Sequence, residues 1–129
     1  MQEVGRGTAS AEGGKITLME ILLVMTNLPD QAAAETLAAA LVDNRLAACV
    51  NILQPCCSVY RWKGAVEKTD EVPLLIKTSA ASYPALEAAI LAGHPYELPE
   101  IVALPLSHGL PGYLAWVAAE TQTENWSSP

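Results

Sequence analysis

The side chains able to hold a transition metal are few: two histidines and three cysteines in 129 residues. His94 stands directly before Pro95, where an Ala/Leu-rich stretch ends. Imidazole suits copper, zinc and nickel, so His94 is the first candidate metal ligand. It would serve equally well by closing a helix on its last carbonyls, and the residues leave both uses open. Cys49, between Ala48 and Val50, is the second candidate: its thiolate would be a soft ligand, although a mid-strand cysteine is usually a small buried hydrophobe. Cys56 and Cys57 point to opposite faces of an extended chain, so they do not clamp one ion, and a disulfide between sequence neighbours is strained. They read as packing residues in a bulge beside Pro55. His108, in Ser107-His108-Gly109, reads as a solvated loop residue.

A second constellation surrounds His94. The segment His94-Pro95-Tyr96-Glu97-Leu98-Pro99-Glu100 carries an imidazole, a phenol and two carboxylates, stiffened by two prolines. Tyr60, Trp62, Glu67 and Lys77 would join Tyr96, Glu97 and Glu100 from a hairpin of the same chain or of a neighbour. A rigid loop with mixed acid, base and aromatic groups at a subunit boundary is a plausible ligand pocket. The plainer use of Glu67, Lys77 and Glu100 is as ion pairs that set the register of an interface. No Gly-x-Ser-x-Gly, His-Glu-x-x-His, Cys-x-x-Cys or phosphate-binding Gly-rich loop is present, so nothing signals an enzyme or an organic cofactor.

The length fits one domain, and a hydrophobic fraction of 51% is ample for a core that, with no Phe, must be aliphatic. A net charge of -7 disfavours nucleic acid and anionic membranes as partners and favours cations. The odd cysteine count points to a reducing compartment, so the cytoplasm is expected. The run Ile21–Met25 is too short to span a membrane, and Glu20 interrupts it as a signal-like segment.

The elements that must position these groups are legible in the pattern. Met1 to Gly14 has no apolar period and reads as a flexible tail, with the folded domain expected over 16–122 and a short tail over 123–129. Leu18 to Met25 reads as a strand ending at the turn signal Thr26-Asn27-Leu28-Pro29. Asp30 is placed to cap a helix over Gln31 to Asn44, with Ala34, Leu37, Ala38 and Leu41 on one face. Ala47 to Trp62 reads as a strand bent at Pro55, Lys63-Gly64 as a tight reversal, and Ala65 to Thr78 as the returning strand. Limbs of that length far exceed the usual strand of about 5–6 residues, so the hairpin must project beyond the domain body. A second helix starts at Ser79 or Ser82 and ends with Gly93 as its C-cap. A strand over Ile101 to Leu106 and a helix over Leu110 to Glu120 follow. The order βαββαβ plus a terminal helix predicts an α+β, ferredoxin-like sandwich with a long β-hairpin and a C-terminal helix.

One face of such a sheet is open, yet Ile21–Met25 and Ile101–Leu104 are apolar at consecutive positions. At roughly 25 cal/mol per Å2, exposing those side chains would forfeit several kcal/mol. The short terminal helix is a poor cover for them, so an oligomer is expected.

Five ordered motifs carry a resemblance. They are Arg45-Leu46-Ala47-Ala48-Cys49-Val50, Tyr60-x-Trp62-x-Gly64-x-Val66-Glu67-x-x-x-Glu71, Leu75-Ile76-Lys77-Thr78, His94-Pro95-Tyr96-Glu97-x-Pro99-Glu100, and Tyr113-Leu114-x-Trp116. Together, from Ile21 to about Glu120, they resemble the CutA divalent-cation tolerance family. The resemblance implies a homotrimer of ferredoxin-like protomers with crossing hairpins, and a part in tolerance of or response to divalent metal ions such as copper. Some members carry a further cysteine in the first strand, where this chain has Met25. Met suits Cu(I) rather than a Cu(II) thiolate site, while the resemblance as a whole implies Cu(II) or another divalent cation as the ligand. A trimeric small-molecule sensor resembling the PII-type regulators, or a structural trimer with an indirect tolerance role, is the alternative.

Overall fold

The computed structural model describes residues 20–122; the expected N-terminal tail over 1–15, the start of the first strand at Leu18–Met19, and the tail over 123–129 lie outside the described residues. The fold is ferredoxin-like. Five strands, β1 (Ile21–Leu28), β2 (Cys49–Ile52), β3 (Cys56–Trp62), β4 (Ala65–Ser79) and β5 (Ile101–Pro105), alternate with helices α1 (Gln31–Asp43), α2 (Tyr83–Gly93) and α3 (Pro111–Glu120). The sheet order is β2-β4-β1-β5, with β3 also paired to β4, and every pairing is antiparallel. No described helix is long and apolar enough to cross a membrane.

Strand alternation decides which face each residue serves. Val24, Leu28, Val72, Leu74 and Ile76 face inward and pack with Ala34, Leu37 and Leu41 of α1 and Leu86 and Ile90 of α2. Asp30 caps α1 as expected, its Oδ1 accepting from Ala33 N at 2.8 Å. At the other end of α1, Arg45 (φ 60°) turns the chain back and donates to the Ala119 carbonyl at 3.0 Å, tying α1 to the end of α3. Gly93 is not a left-handed cap. It lies inside α2, where a Cβ would stand 3.7 Å from Leu37 Cδ1.

The long limb Ala47–Trp62 is not one strand. It breaks at Leu53-Gln54-Pro55 into β2 and β3, while β4 runs uninterrupted for 15 residues. Across the break the register slips by one: Ile52 faces Leu74, but Cys56 faces Glu71. Three residues therefore span what two occupy on β4, which is a bulge with Pro55 as the residue that cannot donate. Beyond Val72 the strand β4 loses β1 as a partner, and β3 with β4 continues as a two-stranded ribbon. Lys63 (φ 51°) and Gly64 (φ 85°) close it with positive φ at both central positions, the geometry of a type I′ turn.

The second sheet face is partly covered. α3 lays Val117 and Ala118 over Ile21 at one end. Leu23, Met25 and Leu75 on the same face stay half-buried, and Val102 and Leu104 are 48% and 56% exposed. The terminal helix thus leaves most of that face open.

Candidate functional site

Two groups of candidate side chains lie six residues apart along β4, one around Glu71 near its midpoint and one around Lys77 near its Ser79 end. Around Glu71, the ribbon and the segment after α2 enclose a cleft of about 850 Å3. Ser58, Val59, Tyr60, Trp62 and Thr69 form its ribbon wall, Pro95 to Glu100 the opposite wall, and Asn27 and Glu71 its base. The bulge makes this possible. A register slip of one residue exchanges the two faces of a strand, so the even-numbered residues of β3 share a face with the odd-numbered residues of β4. Without it, Val59 and Arg61 would present the face that Tyr60 and Trp62 now present.

Tyr60, Trp62, Tyr96, Glu97 and Glu100 come together in this cleft. Glu100 Oε1 accepts from Asn27 Nδ2 at 3.0 Å, and Tyr60 OH pairs with Thr69 Oγ1 at 2.9 Å. Lys63 joins the ribbon turn to the opposite wall through Glu97 at 3.5 Å, a largely exposed pair that contributes little energy. Glu67 is across from Tyr60 on the ribbon but exposed and outside the lining. Lys77 is not there at all. It is six residues along β4 from Glu71, roughly 20 Å at 3.3 Å per residue.

Glu71 is the residue that the motif contained but whose place no local pattern revealed. It is 8% exposed. Tyr96 has its hydroxyl out of solvent with no hydrogen-bond partner. Burial first, and then the carboxylate of Glu71 beside it, push the Tyr96 phenol up to about 12. The two groups are close enough to feel each other but are not in hydrogen-bond geometry.

His94 caps α2 with its main-chain N–H, which donates to the Leu91 carbonyl at 3.4 Å, and its ring is engaged elsewhere. Its Nε2 meets the main-chain oxygen of Asn27 at 2.7 Å, and its Nδ1 meets Tyr96 N at 3.2 Å. A carbonyl only accepts and an amide N–H only donates, so the hydrogen is on Nε2 and the lone pair of Nδ1 is taken. A ligand needs a free lone pair aimed at the ion, and this ring has none. The residue does close α2, but through its main chain, while the ring pins the segment after α2 to the end of β1.

Near the Ser79 end of β4, Cys49 is half-exposed on the open sheet face. Lys77 Nζ donates to Asn51 Oδ1 there, and Cys49 Sγ is 4.0 Å from the same oxygen. Burial, then Cys49 beside it, raise the Tyr113 phenol. Cys56 and Cys57 are exposed and free, and His108 is exposed beside Ser107 Oγ at 3.0 Å. Among the described residues no three His, Cys, Asp or Glu side chains are grouped so as to hold a metal ion. His94 lies beside Asn27 and Cys49 beside Asn51, in separate parts of the sheet.

The likeness to known proteins is consistent across sequence and structure. The divalent-cation tolerance protein CutA of Thermus thermophilus is 46% identical over 99 residues, covering 77% of this chain and 96% of that protein. The crystal structure of CutA from Xylella fastidiosa superimposes with a TM-score of 0.77 at 44% identity, covering 79% of this chain and 98% of the other. The structure of CutA from Archaeoglobus fulgidus, described as a periplasmic divalent cation tolerance protein, gives 0.76 at 30% identity, over 79% and 99% of the two chains. Residues 22–120 match the family described as CutA1 divalent ion tolerance protein, and this chain belongs to that family.

Proposed function

We propose that the chain acts in divalent-cation tolerance as a homotrimer, binding Cu(II) or a similar divalent cation through donors of more than one copy. One observation carries this reading. A single chain groups no three metal-binding side chains among its described residues, while its open sheet face, with Cys49 at one edge, is left for another copy to cover. A rotationally symmetric assembly repeats each donor around its axis, so a position that offers one donor per chain offers three per trimer. The role is one of binding rather than catalysis. Its three free cysteines suit a reducing compartment, and we place it in the cytoplasm.

Stoichiometry tests the reading. Native mass spectrometry should give a trimer, and calorimetric titration should give tight Cu(II) binding at less than one ion per chain, with Mg(II) far weaker. Cys49→Ser should lower the copper affinity. One ion per chain, bound equally by a monomeric variant, would overturn it.

A further inference from the structure

Glu71 is a buried carboxylate for which no Lys, Arg or His of the described residues serves as ion-pair partner. Its oxygens keep contact with solvent only through the cleft, so whatever occupies the cleft meets a carboxylate with no counter-charge of its own. Next to it is the unpartnered Tyr96 hydroxyl. Both line the same cleft, so a carboxylate and a neighbouring hydroxyl converge there with no cationic side chain of the described residues between them. Aromatic side chains line the same cleft: Tyr60 and Trp62 on the ribbon, with Lys63 Nζ 5.5 Å from the Trp62 ring, and Tyr96 opposite, its ring 4.8 Å from that of His94. Glu100 adds a further carboxylate to the lining, whereas Glu97 is paired with Lys63.

We propose that the cleft binds a small organic amine in its protonated form, with its N–H groups donating to Glu71 and Tyr96 and its carbon skeleton lying between the aromatic side chains. The volume, about 850 Å3, is that of an organic-ligand site and far larger than an ion requires. The donor set points the same way: the imidazole nearest the cleft is committed to Asn27 and Tyr96, leaving only oxygens. Aromatic faces attract an alkylammonium through their quadrupoles, whereas a hydrated divalent ion gains little from them. The inference does not depend on where a metal binds in the trimer.

The full-length assembly, titrated calorimetrically with 1,4-diaminobutane and with butylamine, tests the proposal. Phosphate buffer is used because Tris is itself an amine. Saturable binding at one site per chain is expected. Glu71→Gln should weaken it at least about tenfold, or 1.4 kcal/mol. Tyr96→Phe should weaken it less, and Asp70→Asn, on the other ribbon face, not at all. Tetramethylammonium, which has no N–H, should bind more weakly than butylamine. Without ligand, Glu71→Gln should melt no lower than the parent, because a neutral isostere removes an unpaired buried charge. A Glu71→Gln protein that dissociates or melts lower would overturn the proposal, since Glu71 would then be paired with a neighbouring copy. Absence of saturable heat with either amine would overturn it too. So would Cu(II) or Mg(II) binding that displaces the amine and is itself lost in Glu71→Gln, which would make the cleft a metal site. A lost copper site elsewhere in the trimer would leave the amine isotherm unmoved, so the two readings fail separately.

Discussion

His94 donates from Nε2 to the main-chain oxygen of Asn27 at 2.7 Å, and so the loop after α2 is anchored to the end of β1 across 67 residues of sequence. The same ring receives the amide of Tyr96 on its other nitrogen, which fixes the start of the cleft wall. His94→Ala should therefore leave copper affinity within about twofold of the parent. It should cost stability of about 1–3 kcal/mol, because the Asn27 carbonyl and the Tyr96 amide lose their partner. Denaturant unfolding and copper calorimetry on the same variant check both halves.

The open sheet face leads to an assembly prediction. Val102 and Leu104 stand beside Met25 and Leu23 with half their surface exposed. Burying one Leu side chain fully is worth about 1.5–3 kcal/mol. Replacing both residues by lysine should shift sedimentation at micromolar protein from a trimer to a monomer boundary while the far-UV spectrum stays folded. An unchanged boundary would show that this face is not the interface.

The bulge leads to a third. Deleting Gln54 restores equal residue counts across β4, so either the ribbon turns its other face to the cleft or β2 loses its inward Val50 and Ile52. Stability should fall by about 1–3 kcal/mol, the range of a disruptive point change. Gln54→Ala keeps the count and should change neither stability nor assembly. Thermal melts of the two variants separate register from side chain.

Tyr96 sets an alkaline limit. Its phenol is held at about 12 in the folded protein against an ordinary 10.0, by burial first and then by Glu71, with smaller pushes from Tyr60 and Asp30. The folded state therefore keeps a proton that the unfolded chain releases. That contribution is complete below about pH 10 and is lost as pH rises from about 10 to about 12. The melting temperature of the parent should drop more steeply over this window than that of Tyr96→Phe, and parallel curves would refute it.

The element order, the helix cap at Asp30 and the hairpin turn at Lys63-Gly64 were legible from sequence because each rests on neighbours a few residues apart. Period-two alternation also marked Val72, Leu74 and Ile76 as one face. The sequence likewise brought Tyr60, Trp62, Tyr96, Glu97 and Glu100 under suspicion as a group, through residue type and the stiff loop that bears three of them. What no local pattern held was register. Pro55 marked a bend, but only the pairing of Cys56 with Glu71 shows that the slip is one residue, and that slip decides which ribbon residues reach the cleft. Lys77 and Glu71 sit on the same face of β4, yet their separation along it puts Glu71 in the cleft and leaves Lys77 beside Asn51. For His94 the sequence supplied a ring near the surface, whereas tertiary structure supplied the two backbone groups that occupy it. A hydrogen bond between residues 27 and 94 exists only once the sheet has formed, because the energy of a ring nitrogen depends on which atom it meets and not on its neighbours in the chain.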